Sequence, residues 1–299
     1  MTGRNAATAE NGAREPLFSG DFTMSHRDFK EIAAMLYADA GIYLPETKAT
    51  LVYSRLVKRL RKLNLESFHD YCDLVGAPEG ADERLEMLSA LTTNVTRFFR
   101  EPHHFEHLKT HVLPSLLDAA RHGARVRLWS AACSSGQEPY SIALTVLSLD
   151  PNAAALDVKI LATDIDPRVV AEGQRGVYGE AALADVAEAL RKRYFVCASD
   201  RPRQEWMVAD ELRRLVSFRT LNLNADWPMP GRFAAIFCRN VVIYFDEPTQ
   251  QKVWSKFASK LEPNGWLYIG HSERVTGPAA SRLVSSGVTA YRLSRGSGA

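Results

Sequence analysis

The sequence predicts an α/β fold built on a largely parallel sheet, preceded by a small all-helical domain. From Arg125 onward, apolar runs of strand length alternate with stretches of helical spacing, the mark of an α/β sheet. One run, Phe233-Ala-Ala-Ile-Phe-Cys238, is apolar throughout, the kind a parallel sheet buries on both faces. Before residue 92 the chain shows helical stripes instead. At 299 residues, 46% hydrophobic and 24% charged, the chain has the size and composition of a soluble globular protein with two domains or one large one.

The charge balance narrows the function classes. A net charge of +2 gives no global basic field, so any electrostatic partner must be read from local patches and no nucleic acid is expected. The four cysteines, Cys72, Cys133, Cys197 and Cys238, are far apart and form no C-x-x-C, which argues against a zinc knuckle or a disulfide framework. The opening MTGRNAATAENGAREP lacks the apolar core of a signal peptide. No stretch approaches the roughly 18 apolar residues of a membrane span. A cytoplasmic protein without membrane insertion is expected.

Residues 1–20 are small and polar and read as a disordered tail. The helical domain follows over 21–91. Ser25-His-Arg-Asp28 has capping-box character, with Asp in place of Glu or Gln. Phe29, Ile32, Ala33, Leu36 and Tyr37 form a stripe that Gly41 ends. The next helix, Glu46 to Leu63, buries Leu51, Val52, Leu56, Val57 and Leu60. Its other face carries Lys48, Arg55, Lys58, Arg59, Arg61 and Lys62 against one acid, Glu46. That face reads either as a solvated helix surface or as a dock for an acidic partner. Helices at Ser67–Val75 and Asp82–Leu91 complete the domain.

A linker over 92–104 contains Thr92-Thr-Asn-Val-Thr-Arg-Phe-Phe-Arg-Glu-Pro102. Its Thr and Asn side chains offer hydroxyl and amide groups to a ligand, and Arg97 and Arg100 flank Phe98 and Phe99. The plainer reading is a linker whose phenylalanines pack on the next domain. His103, His107 and His111 share one helical face. Without a cysteine or an acid motif beside them they read as a solvated face, and no metal is expected.

The sheet domain spans 105–293. A strand through Val126, Leu128 and Trp129 runs into the small residues Ser130 to Gly136, and Pro139 then sits in the first turn of a helix with Ile142, Ala143, Val146, Leu147 and Leu149 at helical spacing. Such a turn lies at the carboxyl end of a parallel strand, where nucleotide-like ligands bind. It is equally the form of an ordinary βα loop. With one glycine and no Gly-Lys-Ser/Thr it is no phosphate fingerprint, which points to a ligand without pyrophosphate.

The second strand, Val158–Thr163, ends in Asp164-Ile-Asp166 before Pro167. Asp166 suits a helix N-cap, which leaves Asp164 to accept both ribose hydroxyls of an adenosine. Tyr178–Arg193 reads as helix. Tyr194–Phe218 reads as a small β insertion with a polar turn at Arg201-Pro-Arg203, and a strand Val216–Leu221 leads to Asn222-Leu223. Arg239-Asn240 follow the apolar strand. A helix from Pro248 to about Leu261, the turn Glu262-Pro-Asn-Gly265 and strands at Trp266–Ile269 and Val288–Arg292 come next. Residues 294–299 are a flexible tail.

Glu138, Asp164, Asn222-Leu223 and Arg239-Asn240 thus fall at strand ends along one edge of the sheet. A ribose-binding acid without a pyrophosphate fingerprint favours S-adenosylmethionine. The runs LWSAACSSGQEPYSIA, ATDIDP, FCRNVVIYFD, LTTNVTRFFRE and GHSE resemble the CheR family of chemotaxis receptor methyltransferases, over residues 22–293. Gln137 stands where many relatives carry Glu.

The resemblance implies a class I, Rossmann-like methyltransferase sheet with a helical N-terminal domain. It implies methyl transfer from S-adenosylmethionine to glutamate side chains of membrane chemoreceptors, giving γ-methyl esters and S-adenosylhomocysteine. Ligand contacts are implied at Asn94, Thr96, Arg100, Glu138, Asp164, Asn222, Leu223, Arg239 and Asn240, with Arg100 and Tyr244 near the reacting groups. The basic helix then acquires a partner in the helical, glutamate-rich cytoplasmic methylation region of the receptors, and Arg55, Lys58 and Arg59 become docking candidates. Some relatives also tether to a receptor C-terminal pentapeptide through a β subdomain, which corresponds here to Tyr194–Phe218.

Two rivals remain on the sequence. A nucleic-acid methyltransferase acting on exocyclic amines would carry Asn/Asp-Pro-Pro-aromatic where this chain has Arg239-Asn-Val-Val. A pyrimidine C5 enzyme needs a nucleophilic cysteine, and Cys238 has apolar neighbours that suit a buried structural thiol. A non-catalytic sensor of S-adenosylmethionine would have no use for both Arg100 and Tyr244.

Overall fold

The computed structural model describes residues 16–199 and 204–294. The chain divides into two compact units, one running through Thr93 and including Tyr244–Asp246, the other comprising Asn94–Ile243 and the chain from Glu247 onward.

The first unit opens with an antiparallel hairpin of β1 (Pro16–Ser19) and β2 (Thr23–Ser25), so the tail expected through residue 20 is strand from Pro16. The rest of that tail lies outside the described residues. Helices α1 (His26–Ala40), α2 (Ala49–Leu63), α3 (Phe68–Gly76) and α4 (Ala81–Leu91) follow. Ser25 and Asp28 cap reciprocally: Asp28 N donates to Ser25 Oγ at 3.2 Å and Ser25 N to Asp28 Oδ2 at 2.9 Å. Two of the orphan N–H groups at the helix start are thereby paired. Gly41, at φ 72°, closes α1 in the left-handed conformation that glycine adopts without penalty. Phe29, Ile32 and Leu36, Val52, Leu56 and Leu60, Phe68 and Val75, and Met87 are fully or almost fully buried. The segment Tyr244–Asp246 joins this unit through an Ile42–Phe245 bridge and a bond from Tyr37 Oη to Asp246 Oδ2 at 2.9 Å.

The second unit begins with α5 (Pro102–His107), which passes through a π-helical turn at Leu108–Val112 into α6 (Leu113–Arg121). Then come β3 (Val126–Ala131), α7 (Gln137–Leu149), β4 (Val158–Asp164), α8 (Pro167–Arg175), β5 (Val177–Gly179), α9 (Glu188–Tyr194), β6 (Phe195–Ser199), β7 (Glu205–Val208), α10 (Asp210–Leu215) and β8 (Val216–Thr220). The unit closes with β9 (Phe233–Cys238), α11 (Glu247–Lys260), β10 (Leu261–Ile269), β11 (Leu283–Ser285) and β12 (Ala290–Leu293).

Seven strands form one sheet in the order β11-β12-β10-β9-β3-β4-β8. The strands from β10 to β8 are parallel, and β12 runs antiparallel to β10 and β11. Every residue of β9 is buried, as its unbroken apolar run requires. The chain fills one side of β3 with β4 and β8, then crosses to lay down β9 and β10 on the other. In an open α/β sheet that reversal places the ligand outside the carboxyl ends of the strands beside it.

Local spacing misleads in one region. Tyr178–Arg193 is not one helix: it holds the end of β5, a 3₁₀ turn at Glu180–Leu183 and most of α9. Gly176 leaves α8 at φ 61°, and Tyr178 then pairs with Trp206 across an antiparallel sheet ordered β5-β7-β6. A pairing partner on a later strand is invisible to local periodicity. The small sheet therefore starts at Val177, earlier than Tyr194, whereas Val216–Thr220 pairs with β4 in the large sheet. The polar turn read at Arg201–Arg203 lies outside the described residues. No helix among the described residues is long and apolar enough to cross a membrane.

Candidate active site

The turn after β3 is tightly wound. Ala132, Ser134 and Gly136 have φ of 69°, 48° and 96°. Left-handed backbone costs a residue with a Cβ about 1–2 kcal/mol, least where the side chain is short. At Gly136 a Cβ would stand 2.8 Å from both Gly173 Cα and Tyr178 Oη, so only glycine fits. This winding turns the Ser134 N–H onto Asp164 Oδ2 at 2.8 Å, while Asp166 N donates to Asp164 Oδ1 at 3.1 Å. Burial pushes the Asp164 carboxyl above its ordinary range, against the two main-chain N–H groups that favour the charged form. Each oxygen keeps a second lone pair for a hydroxyl donor. Asp166 caps α8 by accepting from Arg168 N at 2.9 Å.

Asn94 is drawn to the same place. Its carbonyl accepts from Ser134 Oγ at 2.8 Å and its Nδ2 donates to Asp166 Oδ2 at 3.4 Å. At the tip of β8, Leu221 N donates to the Asp164 carbonyl at 2.8 Å. Asn222 then folds its Oδ1 onto Asn224 N at 2.9 Å, and Leu223 is buried with its carbonyl accepting from Lys256 Nζ at 3.0 Å.

On the other side of β3 the chemistry is ionic. Glu138, at the start of α7, accepts from Ser130 Oγ at 2.6 Å and from Arg239 Nε at 2.6 Å. The Arg239 side chain is only 2% exposed. Its Nη1 donates to the Arg100 carbonyl and lies 3.4 Å from His104 Nδ1 and 3.9 Å from Glu101 Oε2. The guanidinium also faces the rings of Phe105 and Phe237, at 5.2 and 5.8 Å. Sequence reasoning directs Glu138 and Arg239 to a ligand; the fold directs their side chains first to each other, and through Arg239 to the backbone of Arg100. Arg100 sits between two left-handed residues, Phe99 at φ 50° and Glu101 at φ 55°, and its own Nη1 donates to Val95 O at 3.1 Å. Thr96 is half-buried in this loop.

The sheet unit matches the family described as the CheR methyltransferase SAM-binding domain over residues 94–290, and residues 27–92 match the CheR methyltransferase all-alpha domain. This chain belongs to the CheR methyltransferase family. It is 60% identical to a probable chemotaxis protein methyltransferase of Rhizobium etli, over 86% of this chain and 96% of that one. It is 43% identical to chemotaxis protein methyltransferase 2 of Pseudomonas aeruginosa, over 92% of this chain and 96% of that one. With the Escherichia coli chemotaxis protein methyltransferase the identity is 39%, over 91% and 92%. S-adenosylmethionine is the ligand of this family, and the residues fit it: an acid with lone pairs to spare at the β4 tip, and a closely wound turn of small residues beside it.

Seen as a CheR sheet, the strand tips gather Asn94, Ser134 and Asp164 into one hydrogen-bonded group and Glu138, Arg239 and Arg100 into another. Tyr244 belongs to the Tyr244–Asp246 segment of the helical unit. Sequence reasoning missed the roles of Ser130, Glu101 and His104. Of the histidine face read from the spacing, His103 and His111 are exposed and His107 is half-buried, with the His107 and His111 rings 4.9 Å apart. His104 is buried with Nε2 at 2.8 Å from Thr289 Oγ1, and His107 Nδ1 meets Tyr268 Oη at 2.9 Å. Burial, then the charge of Arg239, lowers the His104 pKa to about 3, so the ring is neutral. Glu101, His103 and His104 bring ligand-type atoms within 4.8 Å of one another, but the Arg239 guanidinium opposes a second cation there. Cys238 is buried and burial pushes its thiol up, which suits a structural thiol and not a nucleophile.

The docking candidates on α2 divide in the same way. Arg59 is 14% exposed and pairs with Glu83 at 2.5 Å and Glu86 at 2.8 Å. Arg55 Nη1 donates to the carbonyls of Ala90, Leu91 and Thr92 at 3.2, 2.9 and 2.8 Å, capping the end of α4. Arg61 pairs with Asp21, and Lys48, Lys58 and Lys62 are exposed.

Proposed function

We propose that this CheR methyltransferase transfers the methyl group of S-adenosylmethionine to glutamate carboxylates in the helical cytoplasmic methylation region of chemoreceptors, forming γ-methyl esters and S-adenosylhomocysteine. The observation that carries the reading is the clamp on Arg100: a buried arginine, paired with Glu138, holds the Arg100 carbonyl at the carboxyl edge of the sheet. The bound ligand supplies an electrophilic methyl on a sulfonium. A substrate glutamate, with an ordinary pKa of about 4.3, is already an anionic nucleophile near neutral pH, so no general base is required. Its oxygen forms the new bond to carbon as the sulfur–carbon bond breaks and the electron pair leaves with the thioether. The work of the protein is then to position the carboxylate and exclude water. Arg100 does so with the guanidinium donors not committed to Val95, which fork onto a carboxylate. Tyr244 is the second residue assigned to the reacting groups, by the motif FCRNVVIYFD in which it stands.

Asp164 takes the ribose hydroxyls, with Asn94, Thr96, Asn222, Leu223 and Asn240 completing the ligand contacts and Glu138 and Arg239 acting through their ion pair. The protein works in the cytoplasm. Docking of the acidic receptor helix rests on the exposed lysines of α2, with Lys58 carrying most and Arg55 and Arg59 holding the helix pair together. Receptor tethering by a C-terminal pentapeptide, where it occurs, falls to the β5-β7-β6 sheet.

Incubation with methyl-labelled S-adenosylmethionine and receptor-containing membranes tests the reaction. Label on receptor that leaves as methanol in mild alkali is expected; alkali-stable label would refute ester formation. Arg100→Ala is expected to abolish transfer while calorimetry still registers S-adenosylhomocysteine; near-normal turnover would remove the assigned role. Lys58→Glu should raise the receptor KM several-fold with ligand affinity unchanged, and an unmoved KM would leave that face without a docking part.

A further inference from the structure

Glu273 and Gly270 lie outside every contact assigned above, yet they frame one of its residues. The Glu273 carboxylate is buried and accepts four main-chain N–H groups: Gly270 at 2.6 Å and Asn240 at 3.0 Å on Oε2, Val241 at 2.9 Å and Val242 at 2.8 Å on Oε1. A carboxylate that collects successive N–H groups fixes the backbone they belong to. Here that backbone is the bend where β9 ends, and Asn240 sits in it at φ 61°. Asparagine tolerates this conformation better than most residues, but something must hold it there. Opposite, a Cβ at Gly270 would stand 2.6 Å from Asn240 Nδ2 and 2.8 Å from Asn240 N, so the carboxamide lies directly against the bare Cα. The other end of the carboxamide, Oδ1, is buried without a hydrogen-bond partner among the described residues. A buried acceptor left unpaired costs about 1–3 kcal/mol, so its retention calls for a donor from a ligand.

The strand order identifies the donor. Asp164 stands at the tip of β4 and Asn240 past the tip of β9, on opposite sides of β3. A ligand whose ribose is held at β4 and which extends across β3 brings its amino-acid end to β9. That end carries an ammonium, the donor such an oxygen lacks.

We propose that Gly270 and Glu273 form a socket that holds the Asn240 carboxamide so that its Oδ1 accepts from the α-ammonium group of the methionyl portion of S-adenosylmethionine. Glu273 is a positioning residue in this scheme, acting through the Asn240–Val242 main chain. The inference rests on the reading of the sheet edge as the S-adenosylmethionine site.

Calorimetry on the full chain tests it with two ligands, S-adenosylhomocysteine and 5′-methylthioadenosine, which lacks the amino-acid end. Glu273→Gln and Gly270→Ala are each expected to weaken S-adenosylhomocysteine binding about tenfold or more, the scale of one charge-assisted hydrogen bond, and to leave methylthioadenosine binding as in the wild type. Variants that bind S-adenosylhomocysteine within about twofold of the wild type overturn the socket, as does an equal loss of both ligands, which would mark a merely structural role. Gly270→Ala keeps the carboxylate, so a folding failure confined to Glu273→Gln does not decide the matter. A wild type that takes up no S-adenosylhomocysteine removes the whole ligand reading; wild-type uptake with unaltered variants removes the socket alone.

Discussion

On either side of β3 the fold buries a carboxylate, and the two are stabilised differently. Asp164 is held by the N–H groups of Ser134 and Asp166, main chain that the turns place there whatever the side chains are. Glu138 is held by side chains, the Ser130 hydroxyl and the Arg239 guanidinium. Main-chain donors survive any substitution short of proline, so damage at Asp164 stays local. Arg239 has several partners at once, and losing it leaves a buried charge unmatched and the Arg100 carbonyl unheld. The Asp164 side is built for retention, the Arg239 side for coupling.

The comparison is broken most directly at Arg239. Arg239→Met should lower unfolding free energy by about 3–5 kcal/mol in urea titrations, the usual cost of orphaning a buried ion, and should abolish transfer. Adding Glu138→Gln should recover part of that stability; a double variant no better than the single one would mean the two charges are not coupled. Asp164→Asn is a smaller change. It should weaken S-adenosylhomocysteine binding roughly tenfold to a hundredfold while unfolding free energy moves by about 1 kcal/mol or less. A stability loss as large as that of Arg239→Met would erase the distinction.

Acid supplies the smallest and most selective test. His104 titrates near 3 in the folded protein and near 6.5 when unfolded, so between those values the unfolded chain binds more protons and stability falls as pH drops. Asp164 has its folded pKa raised above 3.8, so protonation of that carboxyl favours the folded state. The Arg239 side should therefore fail first on acidification, and His104→Gln should flatten the decline of unfolding free energy between pH 6.5 and 4. An unchanged slope would show that His104 is not held neutral.

How much was legible depended on separation along the chain. The reciprocal cap of Ser25 and Asp28, the N-cap at Asp166 and the strand-turn-helix around Gly136 involve residues a few positions apart, and each could be read from the residues alone. The strand-end positions of Asp164 and Asn240 followed from hydrophobic patterning. The pairing of Glu138 with Arg239 did not, since 101 residues separate them. Arg59 looked like surface charge because Glu83, its partner, belongs to another helix. Glu273 stands in the run GHSE that carries the resemblance, but its role was not legible there, because what it binds is backbone.

By itself the sequence determined that a parallel sheet with a small-residue turn would present an acid at its carboxyl edge, because strand and helix periodicity and turn chemistry act over a few residues. Only the tertiary structure decided which charges pair with one another, as Glu138 does with Arg239 and Arg59 with Glu83. A buried ion is stable only beside its partner, and packing chooses that partner from the whole chain.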